Sequence, residues 1–295
     1  MPIEIDQTYI YYSSTMIGGQ KLLFNETKFI LSSKKNKLEI PQSFYSKGYI
    51  LLDNIKSIED ARKTTETFIA NINSAKLPFL HSLLPKIQLA KADLIPVCGD
   101  SVTTDFQGLH FDMGQPFFSQ EAQDMYLMIG LFLPCDRKAT KAKTRVLSLK
   151  GLFNNKKLNA NQVEEKILKY VKKHGDGWND VNTYRVSCLA RLIDAISGTR
   201  DLASYRDKTM AQWFEGDITK EYEFYKLRGF DLGKIEEQIQ LKPGQLLILD
   251  NTRVAHGRVG KRKMQEMYQM MFGVKGVSPN EINNFRSTVA EVLVK

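Results

Sequence analysis

The sequence predicts a mainly β chain with helical insertions, and three observations carry that expectation. Short apolar runs bounded by turn residues recur along it: 126–132 is stopped by Pro134, and 246–249 lies between Pro243-Gly244 and Asp250-Asn251. Such runs read as buried strands closed by residues whose backbone chemistry favours turns. Helical periodicity is confined to a few segments, chiefly 57–73 and parts of 151–235. Finally, a closed β structure with helical additions can take up all 295 residues, and 42% apolar content is ample for its core. We read 1–295 as a single domain.

In chain order, 8–12 and 27–32 read as early strands and 48–52 as another. Ser57 caps a helix whose Ile58, Ala61, Thr65, Phe68, Ile69 and Ile72 make one apolar face. Residues 82–90, interrupted by Pro85, show no clear period. Residues 94–97 lead toward a strand ending at Asp112, with a turn at 113–116. An amphipathic helix is predicted over 161–173, with Val163, Ile167, Leu168 and Val171 inward and a stop at His174-Gly175. A second spans 184–196 and ends at Ser197-Gly198. With no repeat and no low-complexity linker, 151–235 reads as a helical insertion within the domain.

Two segments hold two of the four histidines: Gly-Leu-His-Phe-Asp at 108–112 and Asp-Asn-Thr-Arg-Val-Ala-His-Gly-Arg at 250–258. His110 and Asp112 sit two apart, so on an extended strand both side chains leave one face. His256 follows the apolar run 246–249, and Gly257 beside it lets a backbone pass closely. A lone His-x-Asp is more often a surface pair. Here the framing turns and Gly257 favour a site. Two imidazoles and one carboxylate form the facial set that holds Fe(II) with positions open for substrate and O2. Arg258 and Arg262 add guanidinium forks nearby.

The stretch 241–258, Leu-Lys-Pro-Gly-Gln-Leu-Leu-Ile-Leu-Asp-Asn-Thr-Arg-Val-Ala-His-Gly-Arg, resembles the distal-histidine segment of the Fe(II)/2-oxoglutarate oxygenases of the clavaminate synthase-like and taurine dioxygenase-like group. His110-Phe111-Asp112 resembles their proximal ligand pair, and Thr144-Arg145-Val146 the strand with a cosubstrate-binding threonine. The resemblance implies a double-stranded β-helix (jelly-roll) barrel and His110, Asp112 and His256 as iron ligands. It further implies 2-oxoglutarate as cosubstrate, bound by an arginine and Thr144. That arginine ordinarily lies roughly ten to fifteen residues past the distal histidine, where this chain has 266–271 and no arginine. Arg262 is the nearest candidate beyond a shortened loop, and Arg258 is the second. A planar fork suits the task because it grips a carboxylate through two parallel hydrogen bonds.

Composition narrows the remaining classes. No run reaches eighteen apolar residues, so no transmembrane helix is expected, and the acidic start Met-Pro-Ile-Glu-Ile-Asp does not read as a signal peptide. Cys98, Cys135 and Cys188 form no close pair and leave at least one thiol unpaired, which fits a reducing, cytoplasmic setting. The net charge of +9 raises nucleic-acid binding. Its lysines and arginines, however, sit in short loops (34–37, 138–145, 156–157, 172–173, 261–263) without interleaved aromatics, and we read them as solvated surface. His81 and His174 read as structural. Phe214, Phe224 and Tyr225, with Trp213, read as core before pocket, and Arg191 with Asp194 fits a surface ion pair as well as substrate recognition.

The resemblance thus implies an oxygenase of small polar metabolites, amino acids or their derivatives in natural-product pathways, releasing succinate and CO2. Hydroxylation, desaturation or cyclisation is favoured over halogenation because Asp112 is present, where halogenating relatives carry glycine or alanine. Arg253, Arg258 and acidic residues of the insertion are candidates to pair with substrate. Competing readings are a nucleic-acid demethylase of the same cofactor class and a non-catalytic jelly-roll binding protein.

Overall fold

A computed structural model describes residues 8–17, 20–30, 40–94, 106–112, 122–138, 141–150, 152, 158–174, 189–197, 214, 216–260 and 267–294. A hairpin comes first, β1 (Thr8–Ile17) and β2 (Gln20–Ile30). Then follow α1 (Gln42–Lys47), β3 (Tyr49–Leu52), α2 (Ile58–Ala70), three single 3-10 turns between 74 and 86, and β4 (Gln88–Leu94). Next come β5 (Phe106–His110), β6 (Gln123–Leu133) and β7 (Lys143–Ser148). The helices α3 (Ala160–His174), α4 (Leu189–Ser197) and α5 (Ile218–Leu227) fall within 151–235. The chain closes with β8 (Glu236–Ile239), β9 (Gln245–Asp250), β10 (Val254–Val259), β11 (Tyr268–Val277) and α6 (Pro279–Val294).

Beyond the hairpin, the strands build a five-stranded sheet, β3-β9-β6-β11-β4, and a four-stranded sheet, β5-β10-β7-β8. Every pairing between them is antiparallel. The sheets meet across an apolar seam in which Ile129, Leu131 and Leu133 of β6 and Leu247 and Leu249 of β9 pack with Val146 of β7 and Val254 of β10. Alternate residues of the same strands, such as Leu246, Ile248, Leu147 and Ala255, join a second core with Phe44 and Phe68 on one side and Phe214 and Tyr225 on the other. Helix α2 lies on β6, while α4 and α5 lie on β5. Both faces of these strands are covered, which explains runs that are apolar without alternation. Each fully buried leucine or isoleucine there contributes about 1.5–3 kcal/mol.

One corner carries the chain from the first sheet to the second. After β9, residues 251–253 turn and β10 begins in the four-stranded sheet. Asp250 fixes the corner: its carboxylate accepts from the Thr252 N–H (3.0 Å), the Thr252 hydroxyl and Arg253 Nε (2.7 Å). The Arg253 fork then donates to the carbonyls of Tyr45 (2.7 Å) and Phe44 (3.3 Å), tying the corner to the end of α1.

The Ser57 cap is present, with the hydroxyl accepting from the Asp60 N–H at 3.1 Å. Other expectations need correcting. The early strands are longer than 8–12 and 27–32 and form one hairpin. Residues 88–94 form a strand paired with β11 in the five-stranded sheet, and 95–97 of the expected approach to the ligand strand lie outside the described residues. Leu168 of α3 is 36% exposed, whereas Val163 and Ile167 are buried, because 168 lies at the edge of the apolar stripe. The predicted turn at 113–116 and the start of the 184–196 helix lie outside the described residues, as do Cys98 and Cys188.

Strand β10 meets β5 with a bulge. His256 faces His110 and Arg258 faces Gln107, so Gly257 lies opposite two residues, Gly108 and Leu109. A Cβ at 257 would sit 2.6 Å from the Gln107 carbonyl oxygen and 3.0 Å from that of Gly108. Gly257→Ala should therefore cost about 1–3 kcal/mol, the usual range for forced overpacking. Urea denaturation measures it, and an unchanged midpoint with unchanged slope would contradict this packing.

Candidate metal centre

His110 is the last residue of β5 and His256 the third of β10, and the register sets them directly opposite one another. Paired residues of antiparallel strands project to the same side, so both imidazoles enter one space, with ring centroids 4.5 Å apart. Asp112 lies just past the strand end, in a bend, so its approach to the histidines comes from that bend and not from strand alternation. Its carboxylate reaches both rings: Oδ1 lies 3.4 Å from His110 Nε2 and Oδ2 lies 3.4 Å from His256 Nε2. All three residues are buried, and their ligand atoms lie within 4.8 Å of one another.

The donor chemistry fits a divalent cation. His110 Nδ1 lies 2.9 Å from the Gly108 carbonyl, which only accepts, so Nδ1 carries the proton and the Nε2 lone pair faces Asp112. A carboxylate and an imidazole lone pair converging in a buried space need a shared cation. Two nitrogens and an oxygen suit iron among the common metals. Burial by itself pushes the Asp112 carboxyl up; with no cation between them and the rings protonated, the charge and hydrogen bonds of the two imidazoles outweigh it and hold the group well below the carboxylate range. A bound cation would act in the same direction.

Two amide side chains that sequence reading had not assigned to the site hold Asp112. Asn251 accepts from the Asp112 N–H at 3.0 Å and donates to the Asp112 carbonyl (2.8 Å) and the Tyr126 carbonyl (2.9 Å). The corner residue thereby fastens the bend after β5 to β6. Gln269 of β11 donates through Nε2 to Asp112 Oδ2. The available signal was a polar residue inside the apolar strand 268–274. Asn251 shows in the sequence only as turn chemistry. Partners of this kind orient metal ligands and fix their basicity.

The remaining candidates divide. Arg258 is fully buried, and Thr144 faces it directly across β7. Both lie on the strand face that carries His256 and Val146, which turns into the seam. Arg258 Nη1 donates to the Gly260 carbonyl. Arg262, with the rest of 261–266, lies outside the described residues, as do Trp213 and Glu215. Arg253 is not a substrate residue: its guanidinium is consumed by Asp250 and two backbone carbonyls. Nor does Arg145 belong to a solvated basic loop. It is buried on the outer face of β7 against Glu221 and Glu236. Phe214 and Tyr225 are core, and Asp194 lies 3.8 Å from Arg228 Nε. His81 is exposed in a turn. Among the described residues no helix is long and apolar enough to cross a membrane.

No family model matches the chain, and no curated protein matches it. Solved structures do. The crystal structure of asparagine oxygenase (AsnO) matches with a TM-score of 0.38 and 13% identity, over 80% of this chain and 76% of that one. The same enzyme in complex with Fe(II), 2S,3S-3-hydroxyasparagine and succinate matches with a TM-score of 0.36 and 11% identity, over 79% and 77%. The non-heme iron oxygenase OrfP in complex with Fe and alpha-ketoglutaric acid matches with a TM-score of 0.34 and 10% identity, over 73% and 65%. The chain's own fold and site define a buried two-histidine, one-carboxylate centre between two antiparallel sheets.

Anaerobic titration should load a single Fe(II) per chain. His110→Ala and His256→Ala should each abolish it, since either change leaves two ligands. Full iron loading in both variants would contradict the site.

Proposed function

We propose that the chain is an Fe(II)- and 2-oxoglutarate-dependent oxygenase that oxidises a small polar metabolite, an amino acid or a derivative, by hydroxylation or by desaturation or cyclisation. The observation that carries this reading is the set of polar residues on one strand face at the seam. His110, His256 and Asp112 converge, and Arg258 and Thr144 lie two residues further along, about 7 Å at the usual strand rise. That spacing suits a short dicarboxylate bound to metal at one end and to a cation at the other. The likeness of 108–112, 144–146 and 241–258 to the clavaminate synthase-like and taurine dioxygenase-like group supports the same assignment. We further propose a jelly-roll barrel formed by the two sheets, with 151–235 as an insertion in one domain.

In this reading His110, Asp112 and His256 would hold iron. Gln269 and Asn251 keep Asp112 from turning away. Arg258 pairs with the distal carboxylate of 2-oxoglutarate and Thr144 adds a hydroxyl donor, while Arg262 is the second candidate for the cation. The apolar seam around Val146, Val254 and Leu249 keeps water away, so the charge pair acts in a medium that screens it little. Bound there, iron supplies the O2 chemistry that 2-oxoglutarate drives by its own oxidation to succinate and CO2. The chain contributes orientation, exclusion of water and the choice of which C–H bond lies near the metal.

Succinate formation by iron-loaded protein, screened across an amino-acid library, tests the activity. Stimulation by a subset of amino acids is expected, and no succinate with any of them would contradict an amino-acid substrate. Arg258→Ala should weaken 2-oxoglutarate binding by about 2–5 kcal/mol, as for other truncated buried charge pairs. Calorimetry on anaerobic iron-loaded protein measures it. A comparable loss in Arg262→Ala with none in Arg258→Ala would exchange the two roles.

A further inference from the structure

The bulge in β5 leaves one peptide unit, between Gly108 and Leu109, out of step with β10. Both of its polar groups are nonetheless used. Its carbonyl accepts from His110 Nδ1 at 2.9 Å, and its N–H donates to Glu221 Oε1 at 2.8 Å. Glu221 comes from α5, on the opposite side of the four-stranded sheet from the seam, and it is fully buried. Its other oxygen accepts from Arg145 Nη1, and Arg145 is held in turn by Glu236, with Nε and Nη2 donating at 2.8 and 2.6 Å. Phe106 and Tyr222 flank the guanidinium at 5.4 and 5.6 Å. Gly108 leaves room for this approach, since a Cβ there would lie 3.3 Å from Glu221 Oε1 and 3.4 Å from Phe214.

We infer that Glu221 is a positioning residue for His110, acting through the Gly108–Leu109 peptide. The inference rests on the reading of His110 as a metal ligand. The chain of contacts runs carboxylate, peptide N–H, peptide carbonyl, imidazole Nδ1–H, and the imidazole Nε2 that faces the metal site. A carboxylate on the N–H draws density toward the carbonyl oxygen, making it a stronger acceptor for Nδ1–H, and hydrogen bonds in series strengthen one another in a low-dielectric interior. The ring is thereby fixed in tautomer and angle, and its Nε2 becomes a better donor to a cation. Arg145 serves this arrangement indirectly by holding Glu221 in place. The described part of segment 151–235 therefore bears on the candidate metal site through α5.

Glu221→Gln separates this role from simple packing. Leu109 N–H and Arg145 use different oxygens of the carboxylate, and in glutamine one of those atoms becomes an NH2 donor that faces a donor, so the same geometry cannot serve both. Glu236→Gln removes a different partner of Arg145 and leaves β5 untouched. Anaerobic titration with Co(II), an absorbing stand-in for iron, should show about a tenfold loss of affinity in Glu221→Gln, the lower end for partners beyond the ligands. The visible bands should also change, while Glu236→Gln stays within about twofold of the parent protein. Equal losses in both variants, or none in Glu221→Gln, would overturn the inference. Absence of Co(II) binding by the unaltered protein would instead overturn the metal site itself. Should Glu221→Gln not fold, the unaltered protein decides: on Zn(II) addition the Leu109 amide proton should move downfield and exchange more slowly. An unmoved Leu109 amide would overturn the inference on its own.

Discussion

The antiparallel pairing of β10 with β5 is the constraint on which the site depends. Its register brings together two histidines 146 residues apart, and side-chain alternation turns both toward the seam. A slip of β10 by one residue would send His256 to the outer face beside Leu147 or Arg145 of β7 and leave His110 alone. The register is protected on both sides of the ligand pair. Toward the corner, Asp250, Asn251 and Arg253 lock the entry into β10 against α1, β6 and Asp112. Beyond it, Gly257 admits the bulge of β5 where another residue would collide with the Gln107 and Gly108 carbonyls.

Much of the candidate metal site was legible because its chemistry is compact in sequence. His110 and Asp112 stand two apart, and His256 follows a strand that any reading of hydrophobic runs finds. The way Asp112 arrives was not legible, since strand alternation was expected and a bend does the work. Nor was the corner: 246–249 and 254–259 read as one approach to His256, yet they belong to opposite sheets. Sequence pattern reports which residues want burial, not which sheet they join. Gln269 and Asn251 were missed for a related reason. Each acts across a long sequence separation, on a carboxylate and a backbone that only the assembled fold brings near.

Charge was the least transparent property. Arg145 closes the run 138–145, whose other basic residues gave it the look of a solvated loop, and Arg253 sits in the motif beside a candidate ligand. Both are buried, and both serve the frame, Arg145 between two glutamates and Arg253 over the end of α1. Burying such groups costs several kcal/mol per ion before pairing, so each must be answered by well-placed partners. The balance at Glu221 shows the tension. Burial, with Glu236 nearby, pushes its carboxyl up above the ordinary range despite the pull of Arg145 and of the Leu109 N–H. A buried carboxyl group kept at that cost beside a ligand strand is better explained by orientation of the strand than by net stability.

The central claim is that two imidazoles and one carboxylate, assembled by the β5–β10 register, form a single iron site. Iron K-edge X-ray absorption on anaerobic, iron-loaded protein tests it most directly, because ring scattering counts imidazoles without reference to activity. The account predicts two imidazole rings with oxygen ligands completing the shell. An iron shell of oxygen atoms alone, or with a single imidazole, would contradict it.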